Sequence, residues 1–342
     1  MRHNLECASW EITLKCNLKC FHCEFSAGKA DPDELSHEEA IKLCEDLARL
    51  KCRLVILMGG EPFLRKDWYI IAKKIKDMGM ELAFITNGYS TSDKIFSKLR
   101  DLSPLYIGVS IDGGKAETHD TIRGVKGSFD RALKFIDICT KSKLRVHIVT
   151  SVHKFNIDEL PLLRDILSDK DVFWEIQMTD VAGRFPQKYL LNEREFYSVG
   201  CFIADTQKTH PLGKKFINGS HDTGYHSNHL PDLTGFTQWK GCQAGISLIG
   251  IESNGGIKGC SALTTEFVKY NIRDKNILDI WNDPNSFSYN RQFKKDDLKK
   301  YCKNCKYGLS CKGGCLETSY MSTGELHCDP YCFYRIEHEK LL

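Results

Sequence analysis

Short apolar stretches alternate with amphipathic stretches through the first half of the chain. The apolar stretches have strand length and end in glycine or polar residues, and the stretches between them repeat apolar residues at helical spacing. The first amphipathic stretch opens at Ser36 with Glu39 three positions later, which is the pattern of a capping box. The pattern predicts strands over residues 8–14, 54–58, 82–86, 105–111, 145–151 and 172–178, and helices over 36–50, 67–78, 92–100, 128–141 and 156–168.

Six strand–helix units in this order predict an α/β fold with a parallel sheet and right-handed crossovers. Because six units are fewer than a closed barrel needs, we expect a partial (β/α)6 TIM-like barrel. Such folds bind ligands at the C-terminal ends of their strands. Those ends should therefore converge on one rim, and they carry Cys16, Gly59-Gly60-Glu61-Pro62, Asn87-Gly88 and Ser110-Ile111-Asp112-Gly113.

The rest of the chain has a different character. Residues 203–240 are rich in His, Gly, Thr and Asn with weak periodicity, and eight of the 16 cysteines lie within residues 242–342. We therefore predict a barrel domain over 1–200, a bridge over 201–240 and a small cysteine-rich domain over 241–342.

Composition narrows the class of protein. The net charge of +3 argues against a nucleic-acid binder that works by bulk electrostatics. No apolar signal segment is visible at the N-terminus, and the longest aliphatic run, Leu54 to Met58, is too short to span a membrane. We therefore expect a cytoplasmic protein that binds neither nucleic acid nor membrane. Its thiols stay reduced there, which makes metal the default explanation for 16 cysteines.

Three cysteines follow the first predicted strand with the spacing Cys16-x3-Cys20-x2-Cys23. Thiolates select iron–sulfur clusters or zinc, and three of them can hold three irons of a [4Fe–4S] cube. The fourth iron is then open to an external ligand. A structural zinc site needs four protein ligands, and no fourth one follows locally.

This segment resembles the signature of the radical S-adenosylmethionine (radical SAM) enzymes, with His22 at the aromatic position. The resemblance covers roughly residues 8–180. It implies that Gly59-Gly60-Glu61-Pro62, which we call the GGEP segment, holds the amino group of S-adenosylmethionine (AdoMet). It also implies that Ser110 and Asp112 contact the ribose region of AdoMet. Arg123 would meet its carboxylate, and Asn87 would lie nearby. From the residues alone, Gly59-Gly60 also fits a plain strand-end turn, and Arg123 a surface charge.

The C-terminal cysteines resemble the SPASM extension of the same enzymes. The chain has Cys242-x12-Gly255-x4-Cys260 and then a C-x2-C-x5-C-x3-C run. The resemblance implies two auxiliary [4Fe–4S] clusters, although a zinc ribbon and a disulfide framework also remain open. The first cluster would use Cys242, Cys260 and Cys315, and would have an open site or take Cys328 or a non-cysteine ligand. The second would use Cys302, Cys305, Cys311 and a late cysteine, for which Cys332 fits better than Cys328.

Reductive cleavage of AdoMet to a 5′-deoxyadenosyl radical is the activity that the resemblance implies. Three [4Fe–4S] clusters give about twelve irons per chain and an oxygen-sensitive protein. The leading substrate is a ribosomally made peptide that undergoes crosslinking, thioether formation, epimerisation or oxidation. The alternatives are a small molecule, such as a tetrapyrrole or aminoglycoside intermediate, and a non-catalytic iron–sulfur or zinc protein.

The expected partners follow from this activity. They are a precursor peptide and a reductant such as flavodoxin or ferredoxin. Many peptide maturases have an N-terminal leader-recognition domain, whereas the first barrel strand here begins near residue 8. A separate leader-recognition protein is therefore a further candidate partner. No catalytic acid, base or hydrogen donor is assigned. Five residues lie near the predicted mouth or bridge, and two cysteines are candidate thiol donors: Gln177, Asp180, Arg184, Tyr225 and His226, with Cys201 and Cys328. We expect Lys303, Lys306 and Lys312 to be solvated surface residues.

Overall fold

The computed structural model describes residues 3–235 and 239–341. Its strands are β1 Cys7–Thr13, β2 Leu54–Gly59, β3 Glu81–Thr86, β4 Tyr106–Ser110, β5 Val146–Val152, β6 Val172–Met178, β7 Ile217–Gly219, β8 Leu248–Ile251, β9 Gly256–Lys258 and β10 Tyr270–Asn271. Its α-helices are α1 His37–Arg49, α2 Trp68–Asp77, α3 Asp93–Leu102, α4 Ala116–Arg123, α5 Ser128–Lys141, α6 Leu160–Leu167, α7 Glu193–Thr209, α8 Ile277–Asn282, α9 Ser288–Arg291, α10 Gly308–Cys311, α11 Leu316–Thr323 and α12 Phe333–Ile336.

The chain divides into two compact units. Unit 1 comprises Met1–Ser110, Asp130–Val146 and Gln243–Gln292, and unit 2 comprises Ile111–Phe129, His147–Cys242 and Phe293–Leu342. Each unit therefore combines chain from the predicted barrel with chain from the cysteine-rich region. The domain boundaries predicted near residues 200 and 240 separate consecutive stretches of the sequence, and they stay a prediction.

Unit 1 is built on a mainly parallel sheet. Its strand order is β10-β9-β8-β1-β2-β3-β4, and β1 pairs in parallel with both β2 and β8. Trp10, in the middle of β1, lies opposite Leu57 of β2 and Ile251 of β8. All three side chains are buried, so the centre of this sheet forms the core of the unit. The capping box of α1 is present, since the Ser36 side chain accepts from the Glu39 N–H and the Glu39 carboxylate accepts from Ser36.

Unit 2 contains strands in the order β5-β6-β7, with β6 and β7 parallel. Five of its helices were not predicted: α4, α7, α10, α11 and α12. α4 is a polar helix whose C-terminal cap, Gly124, has the left-handed conformation. The N-terminal cap of α7 is Asn192, which forms a capping box with Glu195. Residues 201–209 of α7 and the strand β7 lie within the predicted bridge, which therefore contains regular structure that its composition did not indicate.

The predicted α/β fold is confirmed. Each of the six predicted strands is present within one residue of its expected bounds. The helix expected over 156–168 begins instead as a 3-10 turn at Ile157–Glu159, and α6 follows with Pro161 in its first turn. Proline fits there because the first N–H groups of a helix have no intrahelical partner. In the part of the chain that the structure describes, no helix is both long and apolar enough to cross a membrane.

Candidate iron–sulfur sites

The loop that carries Cys16, Cys20 and Cys23, which we call the three-cysteine loop, lies in unit 1. Backbone hydrogen bonds close this loop at its base. The Cys16 N–H donates to the Gly28 carbonyl at 3.0 Å, and the Gly28 N–H donates to the Leu14 carbonyl at 2.9 Å. Two backbone N–H groups inside the loop point at sulfur. Leu18 donates to Cys16 Sγ at 3.5 Å, and Ala27 donates to Cys23 Sγ at 3.3 Å. Such donors stabilise thiolates that ligate iron.

The three thiols of this loop lie close enough to influence one another. Burial raises the pKa of Cys16 to about 11, and the nearby Glu61, Cys20 and Cys23 also raise it. A positively charged cluster would offset this cost, because a coordinating thiol loses its proton. No three His, Cys, Asp or Glu side chains in the described parts of the chain converge as the ligands of one metal ion would. A [4Fe–4S] cube binds its thiolates on separate irons, so it does not require the three sulfurs to converge on one point.

The glycines of the GGEP segment are required by the protein itself. Gly59 has φ +133°, and a Cβ there would lie 2.2 Å from the Thr13 carbonyl oxygen. At Gly60 a Cβ would lie 2.4 Å from the Lys15 carbonyl oxygen. The segment therefore packs directly on the chain that leads from β1 into the cysteine loop. Their assignment to the cofactor stays a prediction.

Glu61 joins the GGEP segment to the end of β3. It is 1% exposed and accepts hydrogen bonds from the Thr86 hydroxyl at 2.8 Å and the Asn87 N–H at 2.9 Å. Burial raises the pKa of Glu61 to about 7, although the hydrogen bonds from Asn87 and Thr86 act in the opposite direction. The Asn87 amide in turn donates to Asn17 Oδ1 at 2.8 Å, beside Cys16. Glu61 and Asn87 thus fix the strand ends around the cysteine loop.

The other predicted cofactor residues of unit 1 lie on the same segments. Pro62 is buried and begins the 3-10 turn Pro62–Leu64, and Ser110 is half-buried at the last position of β4. His22 is half-buried, and its ring contacts that of Phe21 with centroids 5.9 Å apart.

Arg123 and Asp112 form a buried ion pair in unit 2, with Arg123 Nη2 2.5 Å from Asp112 Oδ2. Arg123 is 7% exposed, so its alternative interpretation as a surface charge is wrong. The Ser151 N–H donates to Asp112 Oδ1 at 3.0 Å, and the Asn156 amide donates to the Asp112 carbonyl at 2.8 Å. These contacts hold the guanidinium in one place, as bidentate recognition of a carboxylate requires.

Four cysteines of unit 2 form one group, which we call the four-cysteine group: Cys302, Cys305, Cys311 and Cys332. Burial raises the pKa of Cys302, and its neighbours Cys332, Cys311 and Cys305 raise it further. Burial likewise raises the pKa of Cys311 and that of Cys332 to about 12, and each also feels Cys305. Four thiols that influence one another's charge agree in number with the full ligand set of a [4Fe–4S] cluster.

Backbone pairing brings Cys332 to this group. Gly224 and Cys332 form a β-bridge, and the Phe333 N–H donates to the Gly224 carbonyl at 3.1 Å. Cys328 has other neighbours. It is fully buried, with its sulfur 3.2 Å from the Thr323 hydroxyl and 3.7 Å from the Ser319 hydroxyl. The geometry therefore favours Cys332 as the late ligand.

Three cysteines are predicted to bind the first auxiliary cluster. Cys242 and Cys315 lie in unit 2, and Cys260 follows β9 in unit 1. The Cys315 thiol contacts Cys242 and lies 3.9 Å from His221 Nε2. The hydrogen bond with Cys242 lowers the pKa of Cys315, and the His221 contact lowers it further. His221 was not anticipated, because no cysteine or histidine spacing marks it in the sequence.

Carboxyl groups crowd the surroundings of Cys315. Burial raises the pKa of Asp180, Asp222 and Asp329, and the charge of Cys315 raises it further at each. The Tyr225 hydroxyl donates to Asp329 and accepts from the Cys315 N–H at 2.8 Å. Asp180 and Tyr225, two of the residues expected near the mouth or bridge, therefore lie beside Cys315. Gln177 donates to the Ser151 hydroxyl, and the His226 ring stacks on Tyr307.

Comparison with known protein families identifies the class of protein to which this fold and these thiol groups belong. The radical SAM superfamily model matches residues 10–166, and the SPASM iron–sulfur cluster-binding domain model matches residues 242–306. The chain contains both domains and belongs to the radical SAM superfamily. Iron–sulfur clusters and AdoMet binding follow from this membership.

Relatives with different named activities match nearly the whole chain. An AdoMet-dependent heme synthase of Methanosarcina barkeri is 28% identical over 344 residues, which cover 96% of each protein. The mycofactocin maturase MftC of Mycolicibacterium smegmatis is 26% identical over 334 residues, or 95% of this chain and 82% of that protein. The crystal structure of Streptococcus suis SuiB bound to S-adenosylmethionine has a TM-score of 0.74 at 19% identity and covers 97% of this chain and 76% of that one. This similarity supports the fold.

Proposed function

We propose that this protein reductively cleaves AdoMet at the Cys16, Cys20 and Cys23 site and modifies a ribosomally made peptide. The carrying observation is the three-thiol loop of unit 1, which is hydrogen-bonded through Asn87 to the GGEP segment. When bound, the [4Fe–4S] cluster and AdoMet supply one electron and a 5′-deoxyadenosyl radical, which takes a hydrogen atom from the substrate.

In this proposal the side chains bind and orient the cofactor. Glu61 accepts a hydrogen bond from the ammonium group of AdoMet. The Thr86 hydroxyl and the Asn87 N–H hold the Glu61 carboxylate in place. Arg123 pairs with the AdoMet carboxylate, and Asp112 orients the guanidinium. Ser110 and Asp112 contact the ribose region.

The proposal includes three [4Fe–4S] clusters. The four-cysteine group holds the second auxiliary cluster. Cys242, Cys260 and Cys315 hold three irons of the first, and His221 supports it through its contact with Cys315. Cys328 is left out of both ligand sets, because its sulfur contacts the hydroxyl groups of Ser319 and Thr323.

The support for a peptide substrate is the carboxyl-rich surroundings of Cys315. Asp180, Asp222 and Asp329 all lie near this thiol. A peptide backbone offers N–H donors to such groups. The likeness to the maturase MftC agrees with the peptide.

A tetrapyrrole is the second candidate substrate. Its support is the heme synthase relative, which matches 96% of this chain and is covered to 96% of its own length. The two candidates predict different products, so they are open to direct comparison.

The first experiment tests the radical chemistry. Anaerobically reconstituted protein is incubated with dithionite and AdoMet, and 5′-deoxyadenosine is quantified by liquid chromatography. The proposal predicts its release by the wild type and background levels with Cys16→Ala. Equal yields from the two proteins would contradict it.

The second experiment tests the substrate class. The same reaction receives either a precursor peptide encoded beside the gene or iron coproporphyrin III, and both products are examined by mass spectrometry. A mass change confined to the peptide supports the peptide assignment. A change confined to the porphyrin replaces it with the tetrapyrrole.

A further inference from the structure

Residues 293–312 of unit 2 form a strongly basic face, which we call the lysine face. The segment has seven lysines and two aspartates, so its net charge of +5 exceeds the +3 of the whole chain. The remainder of the chain is therefore net negative. Concentration of positive charge in one short segment is typical of a surface that attracts an acidic partner.

Most of these lysines face solvent and are not neutralised. Six of the seven are exposed, and Lys312 is half-buried. Among the described residues, Lys300 alone in this segment has a carboxylate in ion-pair range, with its Nζ 3.6 Å from Glu325. Lys306 lies over the rings of Tyr307 and Tyr334, each 4.8 Å from its Nζ. The face therefore presents free positive charge held partly in place by aromatic rings.

An apolar side chain lies in the same segment. Leu309 is 61% exposed, which is the highest value among the exposed large apolar side chains of the described residues. An apolar contact amid lysines matches the usual anatomy of a transient protein interface, with an apolar centre and a charged rim. A nucleic acid would use the lysines but would gain nothing from Leu309.

The lysine face also carries a redox site. Three members of the four-cysteine group, Cys302, Cys305 and Cys311, belong to this segment. Cys302, Cys305 and Cys332 are half-buried rather than buried, so three of the thiols that would hold this cluster are partly exposed to solvent. An electron carrier docked on the lysines would come close to that cluster.

We propose that the lysine face docks an acidic one-electron carrier protein of the flavodoxin or ferredoxin type, which reduces the cluster held by the four-cysteine group. In this step the carrier loses one electron, the cluster gains it, and no bond forms or breaks. The inference rests on the proposed function, because it assigns the entry point of the electron that AdoMet cleavage consumes.

The test compares two sets of charge reversals. The first variant carries Lys299→Glu, Lys303→Glu and Lys306→Glu, and the control carries the same change at Lys94, Lys134 and Lys208, which are exposed elsewhere. Formation of 5′-deoxyadenosine is measured with reduced flavodoxin and, separately, with dithionite. We expect the first variant to raise the KM for flavodoxin at least about tenfold at low salt, the control to keep it, and both to retain the dithionite rate.

Direct binding keeps the inference falsifiable if the first variant turns over poorly. Flavodoxin affinity is measured by titration calorimetry at low and physiological ionic strength, with iron content as the integrity check. Weaker binding by the first variant, with a loss of affinity in salt for the wild type, supports the lysine face. Equal affinity of the two variants would overturn it, as would an oligonucleotide that binds these lysines while flavodoxin does not bind the wild type. If dithionite also yields no 5′-deoxyadenosine, the proposed function fails while the docking result stands by itself.

Discussion

The three-cysteine loop of unit 1 and the four-cysteine group of unit 2 are both built from cysteine side chains. They differ in where the thiols come from and in the number of thiols. In the loop, the thiols come from one short segment and lie beside Glu61 and Asn87, which fix the adjoining strand ends. In the four-cysteine group, three thiols come from one segment and Cys332 is added by backbone pairing with Gly224. The loop lacks a fourth thiol, whereas the group has one.

In the proposed function, this difference separates the site of chemistry from a site of electron transfer. A cube with three protein ligands keeps one iron for a small molecule, while a cube with four is closed and can only exchange electrons. The surroundings agree with this division. Hydrogen bonds to strand ends fix the open site, and free lysines border the closed one.

Loss of Cys16 should have the largest effect. With Cys16→Ala, the open cluster is lost, so AdoMet cleavage falls to background and iron falls from about twelve to about eight per chain. Cys201→Ala is the matched control, because Cys201 is exposed on α7. Retained cleavage in Cys16→Ala, or equal iron loss in the control, would break the comparison.

The closed site is tested by its two late cysteines. Cys332→Ala should remove about four irons per chain, because it opens the cluster of the four-cysteine group. Cys328→Ala should keep all the iron and cost roughly 1 kcal/mol of stability through a small buried cavity. Iron analysis and thermal unfolding check both variants. The reverse pattern of iron loss would move the late ligand to Cys328.

Glu61→Gln should affect the open site alone. The variant keeps the size of the side chain but removes the negative charge, so AdoMet affinity should fall about tenfold, the worth of one charge-assisted hydrogen bond. Iron content should not change. Glu38→Gln on α1 is the control, since that side chain is exposed. Unchanged affinity in Glu61→Gln, measured by equilibrium binding, would remove Glu61 from the cofactor site.

The smallest expected effect is a pH dependence of AdoMet binding. Burial raises the pKa of Glu61 to about 7, so its carboxylate form is lost as the pH falls through that value. AdoMet affinity should therefore weaken toward lower pH, by at most about tenfold per unit. Glu61→Gln should lose this part of the dependence. Identical pH profiles for the two proteins would show that another group is responsible.

Much of the barrel was predictable because local pattern and global structure agree there. The six strands are short apolar runs between turn residues, and the capping box of α1 is written in Ser36 and Glu39. α4 escaped prediction because it carries few apolar residues, and β8 to β10 because they are two to four residues long. Their positions depend on pairing with distant chain, as in the pairing of β8 with β1.

The sites divide in the same way. Cysteine spacing predicted the thiol groups, since most of the cysteines expected to hold one cluster lie close in sequence. The Arg123–Asp112 pair, the Glu61 contacts and the approach of His221 to Cys315 join residues far apart or without a recognisable spacing. Gly59 and Gly60 were expected to admit a ligand, and the structure adds that they admit the backbone after β1. Only the folded chain shows that contact.

The central claim is that AdoMet binds at the three-cysteine loop and nowhere else. Electron–nuclear double resonance with AdoMet labelled with 15N at its amino group tests this directly, because the coupling reports contact between that nitrogen and a reduced cluster. The account predicts the 15N coupling in the wild type and in Cys332→Ala, and its absence in Cys16→Ala. A coupling that persists in Cys16→Ala, or that disappears only in Cys332→Ala, would contradict it.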